Sequence, residues 1–96
     1  MQPETQRETI RLRPVLDLTA AAPLKGEFGE RRGRPVNVDA SDVERLGTLC
    51  LQVLLSAQQT WTLDGVPFSL GATSPAFEEG LATLGAASLL QSCPRE

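Results

Sequence analysis

Residues 36–54 read VNVDASDVERLGTLCLQVL, and this stretch joins a strand pattern to a helix pattern. Val36 and Val38 alternate with polar residues, which is typical of a half-buried strand. Residues 41–42 then form a turn, and from Gly47 to about Thr60 the apolar residues recur at helical spacing. The stretch therefore predicts a strand, a turn and a helix that packs on the strand's sheet. The predicted apolar stripe of this helix consists of Leu51, Leu54 and Leu55, with Cys50 and Val53 on its flank.

The segments on either side continue the alternation of strands and helices. Strands that alternate with helices favour a mostly parallel sheet with helical cover. We therefore predict the α/β class, with a four-stranded mostly parallel or mixed sheet covered by about three helices. Before the central stretch we predict a strand over residues 9–13 that Pro14 interrupts, a short strand at Val15-Leu16, and a helix that is capped by Thr19, runs to about Glu30 and buries Leu24 and Phe28. After it we predict a strand from Val66 to Leu70 and a last helix with Ser74 as cap and Pro75 as first residue. This last helix is predicted to bury Phe77, Leu81 and Leu84 and to end at Gly85.

The length of 96 residues suits one compact domain. We expect a flexible N-terminus at residues 1–7, a single domain at residues 8–90 and a short tail at residues 91–96. No apolar stretch approaches the roughly 20 residues that span a bilayer, and no signal peptide is recognisable. These observations predict a cytoplasmic protein without direct membrane insertion, in which both cysteines, Cys50 and Cys93, are reduced.

The composition argues against most kinds of chemistry. The net charge is −3, whereas a nucleic-acid partner requires a basic excess. The chain contains no histidine, its two cysteines do not form a CxxC pair, and no glycine-rich phosphate loop follows a strand. The adjacent Glu78 and Glu79 project in different directions from a helix, which is unsuitable for paired acid–base work. We therefore predict that the chain is not an enzyme and has no metal or cofactor.

Two polar clusters each leave an alternative open. The cluster of Asp39, Asp42 and Glu44 is interpreted as turn-forming and helix-capping, with a hard-cation site as the alternative. The basic run of Arg31, Arg32 and Arg34 is interpreted as a solvated loop, with a small docking patch for anions as the alternative.

Three segments resemble the STAS domain family, which includes the bacterial anti-sigma factor antagonists. Residues 36–54 resemble its centre, where a strand and a turn lead into Asp-[Ser/Thr]-x-Gly-Leu at the start of a helix. Leu16-Asp17 followed by residues 19–24 resembles the segment before the first helix of the family. Residues 70–85, with Ser-Pro-Ala at 74–76, resemble the following strand and helix. The resemblance extends over about residues 8–90 and implies the STAS fold.

The resemblance implies a phosphate acceptor at Thr48, where the family has a hydroxyl at the start of the central helix. The sequence departs from the family at Gly47, in place of an acidic residue, and at Cys50, in place of glycine. Two roles for Thr48 therefore stay open: a phosphorylated switch, or only a helix N-cap.

The function that the resemblance implies is that of a signalling adaptor. Its partner would be a regulatory protein, such as an anti-sigma factor, a serine-kinase-like protein or a chemotaxis component; the alternative is a regulatory subunit that docks on the ATPase of an ABC transporter. Strand ends and helix starts converge at one edge of such a sheet, so we expect the partner-binding surface there. Its predicted residues are Asp17, Ser41, Gly47, Thr48, Leu49 and Gln52. The sequence does not determine the oligomeric state.

Overall fold

The computed structural model describes residues 8–86. Our predictions for residues 1–7, for the last residues of the domain and for the tail with Cys93 lie outside this range. The elements of the described part are β1 (Glu8–Arg11), β2 (Val15–Leu16), α1 (Leu18–Glu30), β3 (Val36–Ala40), β4 (Arg45–Leu46), α2 (Thr48–Asp64), β5 (Phe68–Thr73) and α3 (Pro75–Thr83).

The strands form two parallel groups. The main sheet has the order β1-β3-β5, in which β3 is central and Val36 lies opposite both Glu8 and Phe68. The second group is the pair β2 and β4. The predicted α/β class with a parallel sheet and three helices is confirmed. The main sheet has three strands in the described residues rather than four, because β2 leaves it to pair with β4.

The core lies between the sheet and the helices. Every second residue of β3 is fully buried, as the alternation predicts. The prediction that Leu55 belongs to the buried stripe of α2 was wrong, because its side chain is 37 % exposed. The buried face of α2 instead follows the 3–4 spacing of a single helical stripe. That stripe consists of Cys50, Leu51, Leu54, Ala57 and Trp61.

The ends of α1 and α2 differ from the predicted ends. Asp17 caps α1, whereas Thr19 lies inside its first turn. Pro23 lies inside α1 beyond its first turn, although proline fits best in the first turn of a helix. The helix α2 continues to Asp64, one turn beyond the predicted end, and stops at Gly65, whose φ of 70° is in the left-handed region.

The predicted start of α3 is confirmed. Ser74 caps the helix, and its hydroxyl accepts a hydrogen bond from the backbone N–H of Phe77. Pro75 occupies the first helical position. Phe77 and Leu81 are buried as predicted, but Leu84 is exposed because the helix has already ended at Thr83.

In residues 8–86, none of the helices has both the length and the apolar character that crossing a membrane requires.

Candidate functional site

The parallel pair β2–β4 brings the starts of α1 and α2 together. The carbonyl oxygen of Pro14 accepts hydrogen bonds from the backbone N–H groups of Glu44 and Arg45, at 2.6 and 3.1 Å. One step along, the carbonyl oxygen of Leu16 accepts a hydrogen bond of 2.8 Å from the N–H of Gly47. Because β2 leads directly into α1 and β4 leads directly into α2, this ladder fixes the two helix starts side by side.

At the start of α1, Asp17 acts as a helix cap. Its carboxylate accepts hydrogen bonds from the backbone N–H of Thr19 at 3.0 Å and from the Thr19 hydroxyl at 2.6 Å. The hydrogen bond from the Thr19 side chain is the main reason that the pKa of Asp17 is lowered. This predicted binding residue therefore holds α1 in place, and its carboxylate remains exposed at the surface.

At the start of α2, Gly47 occupies the cap position and supplies no side-chain hydrogen bond. A Cβ atom at this position would lie 2.8 Å from the carbonyl oxygen of Leu16. A larger residue would therefore push apart the two strands that hold the helix starts together. This close approach gives a physical reason for glycine at position 47, where the sequence departs from the family pattern.

Thr48 is the first residue of α2 and not its cap, so the interpretation of Thr48 as an N-cap was wrong. Its side chain is exposed, and within residues 8–86 its hydroxyl makes no hydrogen bond. The first backbone N–H groups of a helix have no acceptor within the helix, and here no side chain caps them. An accessible hydroxyl thus lies beside free N–H donors and the positive end of the helix dipole.

Below this surface, Cys50 joins the two helices. Its thiol donates a hydrogen bond of 3.3 Å to the carbonyl oxygen of Asp17, and its side chain is fully buried. Burial raises the pKa of the Cys50 thiol, and the nearby Asp17 charge raises it further. The side chain is therefore a neutral part of the core, in agreement with its predicted place beside the apolar stripe of the helix.

Leu49 and Gln52 are brought together on a groove between α1 and α2. The groove has a volume of about 450 Å³. Leu49 is 45 % exposed and Gln52 is also exposed. The groove is lined by Ala21, Lys25, Phe28 and Gly29 from α1, by Arg32 from the turn after α1, and by Leu49, Gln52, Val53, Ser56, Ala57, Thr60 and Trp61 from α2.

Sequence reasoning missed the α1 side of this groove. Ala21, Lys25 and Gly29 follow each other at intervals of four residues, which places them on one face of a helix, and Arg32 follows in the turn after α1. That spacing was a signal for a shared surface. The shared surface was missed because Arg32 was considered together with Arg31 and Arg34 as a run of charges, and not together with Lys25 as a neighbour in space.

Of the six predicted residues, Ser41 lies neither at a helix start nor in the groove. It lies in the turn after β3, where its N–H and hydroxyl both donate to the carboxylate of Asp39, at 2.9 and 2.7 Å. The hydrogen bond from the Ser41 side chain is the first cause of the lowered pKa of Asp39. The interpretation of Asp39 as a turn-forming residue is confirmed. No group of three or more acidic, cysteine or histidine side chains in residues 8–86 could hold a metal ion.

The arginines of the loop after α1 pair with acids of the chain itself. Arg31 and Arg34 both contact the carboxylate of Glu8, at 3.1 and 2.6 Å. Arg32 contacts Asp64 at 3.2 Å. These ion pairs attach the loop to β1 and to the end of α2, which favours a structural role for the run, while the Arg32 side chain remains 65 % exposed.

Comparison with known families agrees with this architecture. A family model described as "Mlab, STAS domain" matches residues 1–91. A search of curated proteins finds no match. The matched range contains every described element, including both helix starts and the groove. The chain therefore belongs to the STAS domain family, whose members are regulatory domains that act through protein–protein contacts.

Proposed function

We propose that this chain is a signalling adaptor similar to the anti-sigma factor antagonists, and that it binds a regulatory protein through the surface at the start of α2. The observation that carries the proposal is the exposed Thr48 hydroxyl, which makes no hydrogen bond in the described part of the chain, at an uncapped helix start of a STAS domain. The docking surface comprises Asp17, Ser41, Gly47, Thr48, Leu49 and Gln52.

The proposed switch is phosphorylation of Thr48. A phosphate adds a charge of about −1.5 to −2 and three strong acceptor oxygens. At a helix start, the free N–H groups and the helix dipole stabilise that charge within the chain itself. Against a partner surface that is complementary to the neutral hydroxyl, the same charge is repelled or incompletely solvated. Phosphorylation therefore releases the partner without unfolding the adaptor.

The partner we propose is a kinase-like regulator or a chemotaxis component, with a role in the regulation of transcription. The second candidate is the ATPase of an ABC transporter, on which the chain would act as a regulatory subunit. This second candidate stays open because the description of the matched family names Mlab and does not name an anti-sigma factor antagonist. Both candidates use the same surface and differ in the protein that covers it.

We further propose that the chain acts in the cytoplasm by binding alone and has no catalytic activity. The sequence contains no histidine, so neither Thr48 nor Cys50 has an imidazole base to activate it. Cys50 is fully buried, and burial raises its pKa, so it is not available as a thiolate nucleophile. A repurified protein that turns over a substrate, and loses that turnover when one surface residue is replaced, would overturn this part of the proposal.

The experiment is a pull-down from the native cell with the full chain and two matched charge variants. Thr48→Asp adds a charge on the proposed surface, whereas Gln59→Asp adds the same charge at an exposed position of α2 outside the groove. We expect the wild type and Gln59→Asp to retain the same partner and Thr48→Asp to lose it. Mass spectrometry then distinguishes a kinase or receptor from a transporter ATPase.

A second measurement tests the modification itself. The purified partner kinase should phosphorylate the wild type and not Thr48→Ala, although both bind it equally. If a folded Thr48→Asp variant retains the partner as well as the wild type does, the switch is ruled out.

A further inference from the structure

The groove lies on the outer side of α1 and α2, which pack side by side. Near the helix starts, Cys50 contacts Asp17, and near the other end the rings of Trp61 and Phe28 lie 5.8 Å apart. Both pairs have the same sequence separation of 33 positions, so the two helices run in the same direction. The outer groove that they form extends along α2 from Leu49 to Trp61.

The groove has an apolar floor and walls with low relief. Phe28, Ala57 and Trp61 form the floor and are buried. The α1 wall includes Gly29, at which an added Cβ would meet no atom within 4 Å. The α2 wall includes Ser56, which is small and exposed. Small residues allow another backbone to approach closely, and the residues lining α2 from 49 to 61 extend about 18 Å, the length of roughly three helical turns.

The charge of the groove has one sign. Lys25 lies on the α1 wall and Arg32 lies in the turn after α1, and no acidic residue is among the lining residues of the groove. Lys25 is exposed and makes no ion pair within residues 8–86. Arg32 contacts Asp64, but its side chain remains 65 % exposed. The chain as a whole has a net charge of −3, so this cationic wall differs in sign from the rest of the molecule.

We propose that the groove binds an amphipathic helix of the partner protein, with its apolar face on the floor and carboxylates opposite Lys25 and Arg32. An apolar helix face that lies in a hydrophobic groove is a recurrent mode of peptide recognition, and the complementary charge sets the orientation of the helix. This inference rests on the proposed adaptor function and specifies which part of the partner is bound.

The groove also links the partner helix to Thr48. Thr48 lies one turn before Gln52, so a phosphate there adds negative charge at one end of a groove that holds an acidic helix. Like charges at this distance repel each other, which gives the phosphorylation switch a direct electrostatic cause.

The first test places a photo-crosslinking residue, p-benzoylphenylalanine, in the groove of the full chain in its native cell. Ser56 is replaced in the test variant, and Glu79, exposed on α3, is replaced in the control. We expect an adduct only from position 56, and its digest should contain one protein segment with Asp or Glu at helical spacing. A segment without acids, a second copy of this chain, a lipid adduct or no adduct overturns the proposal.

The second test reverses charges with the captured partner. Lys25→Glu should weaken binding by about tenfold or more, because an attraction becomes a repulsion. Arg13→Glu, a matched reversal at an exposed position outside the groove, should leave affinity unchanged. Replacing the facing acids of the partner with lysine should restore binding to Lys25→Glu. Unchanged affinity of a folded Lys25→Glu variant, or no restoration, overturns the proposal.

The two proposals fail in different ways. If Thr48→Asp weakens binding and Lys25→Glu does not, the adaptor function stands and the groove is not the binding site. If Lys25→Glu weakens binding and Thr48→Asp does not, the groove stands and the switch fails.

Discussion

The starts of α1 and α2 lie next to each other and are built in opposite ways. The start of α1 is closed by the carboxylate of Asp17, which accepts two hydrogen bonds from Thr19. The start of α2 follows Gly47, which has no side chain to offer, and its first residue is Thr48. The same ladder of backbone hydrogen bonds, ending at the Leu16 carbonyl, holds both starts in place.

This contrast shows that a helix start can either be stabilised by a side-chain cap or keep its N–H groups available to bind a ligand. A side-chain cap stabilises a helix by occupying its free N–H groups, and those groups are then unavailable to another molecule. The uncapped helix gives up that stabilisation and keeps its donors for a ligand or a modification. Position is supplied instead by the backbone pairing of β2 with β4. The chain can therefore leave the start of α2 open without leaving it unsupported.

The largest effect on stability is expected for Gly47→Ala, which disturbs the β2–β4 pairing that holds the starts of both helices in place. The backbone angles of Gly47 suit any residue, so the cost comes from the added Cβ, 2.8 Å from the Leu16 oxygen. Forced contacts of this kind cost about 1–3 kcal/mol. Urea unfolding of the variant and the wild type measures this loss as a difference in the free energy of unfolding. Gly26→Ala is the control, since its Cβ meets nothing within 4 Å and should stabilise α1 by about 0.5–1 kcal/mol. A Gly47→Ala variant as stable as the wild type would show that the strands separate at no cost.

A smaller loss is expected for Asp17→Ala, which makes the closed start resemble the open one. The variant leaves the Thr19 N–H without its acceptor, so the urea midpoint should fall. Asp17→Asn keeps an acceptor oxygen and should recover most of the loss. Equal midpoints for Asp17→Ala and the wild type would contradict the capping role.

Acid titration should reveal the carboxylates that act as caps and turn anchors. Hydrogen bonds lower the pKa of Asp17 and of Asp39 below the ordinary value of 3.8, so both groups bind protons more readily in the unfolded chain. Their stabilisation is complete above the unfolded pKa and is lost as the pH falls through the folded pKa. The unfolding free energy should therefore decline below about pH 4–5.

The control for this titration is a pair of single variants, Asp17→Asn and Asp39→Asn. Each removes one titrating group, so each should show a shallower decline with acid than the wild type. Identical pH profiles for all three proteins would show that neither carboxylate is linked to folding.

The smallest effect on stability is expected for Thr48→Ala. Its hydroxyl makes no hydrogen bond in the described residues, so its removal should change the unfolding free energy by no more than about 0.5 kcal/mol. A loss of about 1 kcal/mol or more would reveal a capping role that the structure does not show.

The strands and helices with regular spacing could be predicted from the sequence, because burial imposes a period on them. The alternation in β3 and the Ser-Pro start of α3 are of this kind. The strand β4 was missed because two residues, Arg45-Leu46, are too short to show a period. It exists because Pro14 offers a carbonyl group across the gap, and that contact depends on the tertiary arrangement.

The site could be predicted only in part for the same reason. Residues adjacent in sequence, such as Thr48 and Leu49, were assigned to one surface from their position at a helix start. The Lys25 wall of the groove comes from the other helix, and its proximity to Leu49 depends on how α1 packs on α2. The burial of Trp61, which is 2 % exposed, likewise depends on this packing.

Trp61 gives the protein an intrinsic optical probe. The chain has one tryptophan and no tyrosine, so its near-ultraviolet fluorescence comes essentially from one indole ring. That ring contacts Phe28 and Phe68 edge-on and donates a hydrogen bond of 2.7 Å to the carbonyl oxygen of Arg34. A change in the emission of the unlabelled protein therefore reports on a single place, the junction of both helices with the sheet at the end of the groove.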